Sequence, residues 1–250
     1  MLYADLKTLH FSYKKDLMEE KFFLSVENRK ICGVLHLPSQ DAPPCVITCH
    51  GLFSSKDSDK FIAVADCFTK EGLAVIRFDF GGCGESSGDF SDTTVSRRLQ
   101  ELEAVLKFSC NHPKLHNKPG ILGSSLGGYV AAVCSAKHDV AALSLWATPC
   151  ALAELSQNIP AQDLKRLKKN FFDDALKYSL SSLLGKMSCV QIIHGTEDTI
   201  VPQKHAEEIF SLVKDPKELV LLSGADHSIS GQHSREKALQ KSRDWFKEHF

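Results

Sequence analysis

The sequence predicts an α/β fold: a mostly parallel sheet of eight strands with helices on both faces. Three observations lead there. Short, continuously apolar runs recur down the chain, as strands buried on both faces require. Amphipathic helical patterns separate them, for example "DKFIAVADCFTKEG" (59–72) and "SRRLQELEAVLKFSC" (96–110). A length of 250 residues, 43% of them hydrophobic, suits one domain with a well-buried centre.

The first fifteen residues carry no firm periodicity and read as an irregular or helical arm. From Lys21, "KFFLSVENRKICGVLHLP" gives two β-rich runs joined by Glu27-Asn28-Arg29, a hairpin signal. After Pro43-Pro44, "CVITCH" is the next strand. The same pattern returns in "LAVIRFDF" (73–80), "PGILGSS" (119–125), "VAALSLWATP" (140–149), "CVQIIHG" (189–195) and "ELVLLSG" (218–224). Strand alternating with helix predicts parallel pairing through helical crossovers. With no repeat, linker or low-complexity stretch, residues 1–250 read as a single domain. One segment breaks the alternation: 151–186 offers two or three helices with no strand between them. A plain crossover needs about a dozen residues, and this segment is roughly three times that. A small helical cap over the sheet edge is the expectation.

Composition excludes several classes of partner. Thirty basic residues against 31 acidic ones leave no field to hold a polyanion, so no nucleic acid is expected. No apolar run approaches the ~20 residues that span a bilayer, so no membrane is expected either. Asp5, Lys7 and His10 interrupt the N-terminal hydrophobes, which leaves no signal-peptide core and predicts a cytoplasmic location. The nine cysteines are odd in number and lack a C-x-x-C. Cys45, Cys49, Cys134 and Cys189 sit in apolar context, so reduced, buried thiols are expected. Cys83, in a glycine-rich loop, stands apart. No metal-ligand spacing occurs, and no metal or cofactor is expected.

In an open parallel sheet, ligands bind beyond the carboxyl ends of the strands. The strand "PGIL" delivers Ser125 inside "GSSLGG" (123–128). Ser125, unlike Ser124, has glycine at both minus two and plus two (Gly123, Gly127), as a cramped strand-to-helix turn requires. The strand "CVQII" delivers "HGTEDTIVP" with Asp198, and "ELVLL" delivers "SGADHSI" with His227. A serine hydroxyl is a weak nucleophile and needs a base to take its proton. An imidazole, ordinarily titrating near ~6.5, suits that task, and a carboxylate fixes its tautomer. Glu197 and Asp226 are the competing acids. Asp226 directly precedes His227, so its side chain points away from the ring's Nδ1; Glu197 stays open on these grounds. His50 and His194 each precede a glycine at a strand end and read as turn-fixing residues. Backbone N–H groups must receive the oxyanion of a tetrahedral intermediate. The turn His50-Gly51-Leu52 and the residue after the serine assign that hole to Leu52 and Leu126.

Taken together, "HGL" (50–52), "DFGGCGESSG" (79–88), "GSSLGG" (123–128), "HGTEDTIVP" (194–202) and "GADH" (224–227) resemble the α/β-hydrolase superfamily. Within it, residues 20–250 look most like small carboxylesterases related to cinnamoyl (feruloyl) esterases and serine aminopeptidase-like hydrolases. The family pattern H-G-x-x-D-x-x-V-P selects Asp198 over Glu197. Its D-x-R-G-x-G-x-S loop has Gly81 where arginine is common, which implies the loss of a polar contact near the site. The resemblance implies a serine hydrolase that cleaves small-molecule carboxylic esters through an acyl-enzyme on Ser125, without a cofactor, as a monomer or homodimer. The alternatives are an acyl thioesterase, an aminopeptidase-like hydrolase, or a non-catalytic ligand-binding relative; the intact Ser, Asp and His speak against the last. Ile159, Phe171 and Phe172 suit an apolar pocket under the cap. Lys165, Arg166, Lys168 and Lys169 form a basic cluster there, either a solvated helix face or a holder for an anionic leaving group.

Overall fold

The structure, a computed structural model, describes residues 10–14, 17–152 and 158–250. The described strands are β1 (His10–Lys14), β2 (Leu17–Val26), β3 (Arg29–Pro38), β4 (Cys45–Cys49), β5 (Ala74–Phe78), β6 (Gly120–Ser124), β7 (Leu143–Trp146), β8 (Val190–Gly195) and β9 (Lys217–Leu222). They form one sheet in the order β1-β2-β3-β5-β4-β6-β7-β8-β9. β1, β2, β3 and β5 pair antiparallel in succession, and every pairing from β5 through β4, β6, β7 and β8 to β9 is parallel. The hairpin falls where its sequence signal lies, with Glu27 at φ 51° in the turn.

Eight of these strands are the expected ones, and β1 is added at the edge. Residues 10–14 therefore do not belong to an irregular or helical arm: His10 stands opposite Lys21 and Lys14 opposite Leu17. Their own pattern is too short to declare a strand. The pairing comes from β2, whose free N–H and C=O groups template any adjacent extended chain. Residues 1–9 lie outside the described part.

The helices are α1 (Asp59–Thr69), α2 (Val95–Asn111), α3 (Leu126–Ser135), α4 (Ala161–Leu164), α5 (Lys169–Ala175), α6 (Ser181–Leu184), α7 (Lys204–Leu212) and α8 (Gln232–His249). Successive strand residues point to opposite faces, and the core divides accordingly. Cys45, Ile47 and Cys49 of β4 join the cluster packed by α2, α3 and α7. Val46, Leu122 and Ile193 join the other, packed by α1 and α8 through Phe61, Val64, Phe68, Trp245 and Phe246. Each fully buried large side chain of this kind contributes about 1.5–3 kcal/mol. The short helices α4, α5 and α6 fill the segment between β7 and β8, the region expected as a cap.

Candidate active site

Ser125 sits between β6 and α3 with φ 55° and ψ −125°, a backbone conformation that costs about 1–3 kcal/mol. Its surroundings force the bend. A Cβ on Gly123 would lie 2.5 Å from Gly128 Cα, and one on Gly127 only 2.2 Å from Cys49 O. Ser125 N–H donates to Trp146 O at 2.8 Å, which ties the turn to β7. The two adjacent serines thus part ways. Ser125 Oγ donates to His227 Nε2 at 3.1 Å, whereas buried Ser124 accepts from Lys60 Nζ at 2.8 Å.

His227 Nδ1–H donates to Asp198 Oδ2 at 2.8 Å. The other oxygen, Oδ1, accepts from Ile200 N–H (2.9 Å) and Val201 N–H (2.8 Å). That fixes the carboxylate from below, so Asp198 belongs to a turn and does not cap α7, whose N-cap is Gln203. The rival acids are elsewhere. Glu197 is exposed, and Asp226 accepts from Ser230 N–H and Oγ–H, both at 2.7 Å. The structure brings Ser125, His227 and Asp198 into one hydrogen-bonded line, with the serine and histidine half-buried and the aspartate buried. Chemically such a line moves the serine proton onto an imidazole that the carboxylate steadies.

The two strand-end histidines have structural jobs. His50 Nδ1–H donates to Gly51 O (2.7 Å) and Nε2 accepts from Phe80 N–H (3.0 Å), which joins the loop after β4 to the loop after β5. Burial, then the charge of Arg98, push its pKa down to about 3, so it stays neutral. His194 donates to Val201 O at 2.7 Å, and burial lowers its pKa as well.

Arg98 on α2 was not singled out by the sequence, although it lies on the apolar face between Val95 and Leu102. It is completely buried. Its Nε donates to Thr93 Oγ1 (2.9 Å), and its Nη groups donate to the carbonyls of His50 (3.5 Å), Gly51 (3.3 Å) and Leu52 (3.2 Å). The guanidinium also stacks on Phe80 at 4.6 Å. Three consecutive carbonyls are therefore held on one cation. Among the described residues, neither Leu52 N–H nor Leu126 N–H meets an acceptor, as a pair of donors kept for a substrate oxygen requires. A charged group standing where a hydrophobe is expected was the signal available in the sequence.

Asp79, also buried, organises the loop that follows β5. It accepts from Lys56 N–H (2.7 Å) and Glu85 N–H (2.9 Å) and lies 3.2 Å from Lys56 Nζ. At Gly81 a Cβ would come within 2.6 Å of Glu101 Oε1. Arg29 from β3 occupies that neighbourhood and pairs with Glu101 at 2.8 Å, while Glu101 Oε2 accepts from Gly81 N–H at 3.0 Å. An arginine from β3 thus stands beside Gly81, where the family pattern has its own arginine. Cys83 is buried against Arg98, with its thiol pKa raised by burial, which argues for an inert thiol.

A cavity of about 810 Å³ opens onto Ser125 and His227. Ile159, Phe171, Phe172, Leu176 and Leu180 from the segment between β7 and β8 line one side of it. The basic cluster does not. Arg166 stacks on Phe53 and Phe90 and faces Asp163, Lys168 pairs with Asp92 (2.5 Å), Lys169 faces Asp173 (3.8 Å), and Lys165 is exposed.

Comparison with known proteins agrees with this architecture. A family profile described as alpha/beta hydrolase fold matches residues 44–188. The chain belongs to the alpha/beta hydrolase family. It is 23% identical over 236 residues to mouse (Mus musculus) palmitoyl-protein thioesterase ABHD10, mitochondrial, covering 84% of this chain and 78% of that protein. It is 24% identical over 205 residues to the uncharacterized protein YfhR of Escherichia coli O157:H7, covering 78% and 68%. Among solved structures it resembles Est1E of Butyrivibrio proteoclasticus with ferulic acid bound: TM-score 0.80, 22% identity, 91% of this chain and 98% of that one.

Proposed function

We propose that this protein is a serine hydrolase that cleaves small carboxylic esters through an acyl-enzyme on Ser125. One observation carries the reading: Ser125 Oγ, His227 and Asp198 form a continuous hydrogen-bonded line at 3.1 and 2.8 Å at the floor of an apolar-sided cavity. Ser125 Oγ attacks the ester carbon as His227 Nε2 takes its proton. The carbonyl oxygen becomes an oxyanion and receives the N–H groups of Leu52 and Leu126, the latter at the positive end of α3. Collapse expels the alcohol, which leaves with the proton from His227. A water then repeats the sequence on the acyl-enzyme and frees the acid.

The cavity volume is within the range of small-ligand sites, about 300–1,000 Å³. Aromatic and aliphatic side chains on the segment between β7 and β8 favour short to medium acyl or aryl-acyl groups. That segment acts as a cap. The Est1E structure holds ferulic acid, an aryl acid, which supports the same class. A thioester reading is favoured by the mouse relative, named as a palmitoyl-protein thioesterase; the same line of residues serves either leaving atom.

Ser125→Ala removes turnover and covalent labelling by a fluorophosphonate, and Ser124→Ala keeps the labelling. Labelling that survives in the first and disappears in the second would overturn the assignment. In the wild type, kcat/KM for butyrate and hydroxycinnamate esters exceeds that for an acyl-CoA or an aminoacyl anilide. A faster acyl-CoA moves the reading to the thioesterase, and a faster anilide to the aminopeptidase-like hydrolase.

A further inference from the structure

The cavity has a second wall that the reaction above does not use. Lys60 of α1 and Arg235 of α8 both line the cavity, as does His227. Lys60 Nζ donates to the neutral hydroxyl of Ser124 at 2.8 Å. Arg235 Nε donates to Ile229 O at 3.0 Å, which leaves both Nη groups of the guanidinium unspent. Neither cation forms an ion pair with any described residue.

The nearby acids keep their charge but make their close contacts with other groups. Asp198 serves His227 and two backbone amides, and Asp226 serves Ser230. Asp163 and Asp173, which also line the cavity, face Arg166 at 3.7 Å and Lys169 at 3.8 Å. Asp59 is exposed at the start of α1. Two cations share this wall with no acid of the described residues within ion-pair distance. One is partly withdrawn from water and attracted only from farther off by Asp226 and Asp198, and their mutual repulsion destabilises the empty site. A ligand anion removes that cost.

We propose that Lys60 and Arg235 bind an anionic group, a carboxylate or a phosphate, carried by the substrate on its leaving group or its acyl group. The proposal rests on the ester-hydrolase reading and adds the substrate's charge to it. Arg235 offers two parallel N–H donors, the geometry that carboxylate and phosphate oxygens meet in pairs. Ser124, the serine that is not the nucleophile, holds the Lys60 ammonium beside the reacting centre. The basic cluster at 165–169, the alternative holder of such a group, is outside the cavity, with Arg166, Lys168 and Lys169 facing Asp163, Asp92 and Asp173.

The groups that act on Lys60 are Arg235, which repels it, and Asp226 and Asp198, which attract it. Burial and then Arg235 bring its pKa down to about 8. Lys60 is therefore charged at pH 7 and loses its proton as pH rises through about 8, while a carboxylate ligand keeps its charge. Anion binding weakens over that interval.

Titration of the Ser125→Ala protein reads this recognition without turnover. The ligands are 4-(butyryloxy)benzoate, 4-(butyryloxy)phenyl phosphate and neutral 4-(butyryloxy)benzamide for the leaving-group side. Monomethyl adipate against methyl hexanoate serves for the acyl side. At pH 7 at least one anionic ligand binds about tenfold more tightly than its neutral counterpart, and the arm that does so separates carboxylate from phosphate. Adding Arg235→Gln or Lys60→Gln cuts that preference by about fivefold or more, as does raising the pH to 9 in the Lys60-containing protein. Lys247→Gln, on an exposed part of α8 paired with Glu71, is the control for net charge and preserves the preference. Equal affinity for anionic and neutral ligands, or a preference indifferent to both Lys60 and Arg235, overturns the proposal. Whether wild-type protein hydrolyses the neutral benzamide ester tests the hydrolase reading separately.

Discussion

The cavity is bounded by two regions built on opposite principles. The strand-end wall carries Ser125, His227 and the Gly51-Leu52 turn, with His50 and Asp198 buried behind it, and its polar groups are held by hydrogen bonds from several elements. The cap between β7 and β8 has helices of only 4, 7 and 4 residues, too short to be stable alone. It depends on packing through Phe171, Leu180 and Leu184 and on a few polar ties. Asp174 accepts from Ser96 N–H (2.8 Å) and Oγ–H (2.6 Å), and Tyr129 Oη donates to Tyr178 O (3.0 Å). Leu176 there stays 75% exposed. The difference teaches that the reacting atoms are fixed by the sheet, whereas the cap can change its lining without moving them. Damage to the first region should cost kcat, and damage to the second should cost substrate preference.

Asp198→Asn tests the strand-end wall most severely. The amide oxygen can still accept from Ile200 and Val201, which turns the NH2 group toward His227 Nδ1. Two donors then face each other unless the ring adopts the other tautomer, and that tautomer presents N–H to Ser125. A loss of about 10⁴-fold in kcat is expected with the fold retained. Glu197→Gln, at an exposed position, costs far less; equal losses would sink the assignment of Asp198.

Arg98→Met comes next. It removes the cation from the carbonyls of His50, Gly51 and Leu52 without emptying the space, so the Leu52 N–H is no longer held in register. Removing one oxyanion donor costs roughly 10²–10³-fold in kcat, and a displaced donor falls toward the lower end. A merely structural role would lower the melting temperature and leave the kcat of the folded fraction intact. The expected signature is a kcat loss with KM little changed, and only partial recovery in Arg98→Lys. One ammonium cannot reproduce the guanidinium's planar fork.

How much of this was legible follows the same division. The strands, Ser125, Asp198 and His227 were readable because each sits at the end of an apolar run, and the glycines around Ser125 are demanded by contacts as close as 2.2 Å. Arg98 and Arg29 escaped because their meaning depends on which carbonyls and carboxylates the fold brings to them. Lys60 and Arg235 lie 175 positions apart in the chain and line one cavity only because α1 and α8 share one face of the sheet. β1 escaped because an edge strand takes its conformation from its neighbour. Of the two readings of the basic cluster the structure favours the solvated face: Lys165 is exposed, and Arg166, Lys168 and Lys169 face acids or aromatic rings.

The smallest expected effect probes the cap. Tyr129 is buried on α3, and its hydroxyl links the body of the protein to the backbone of the cap at Tyr178. Tyr129→Phe keeps the ring and deletes one hydrogen bond, which costs about 1 kcal/mol of stability, or a fall of about 2–4 °C in Tm for a chain of this size. Ser125 Oγ and His227 take no part in that bond, so the reacting centre keeps its geometry. The cap, with one tie fewer, presents Phe171 and Leu180 less firmly to the substrate. KM should therefore rise more for a hydroxycinnamate ester, which needs that wall, than for an acetate ester, which does not reach it. Steady-state kinetics on the two esters decides the matter. A loss shared equally by both, or one confined to kcat, would mean that the cap and the strand-end wall are mechanically one unit and that the contrast drawn between them fails.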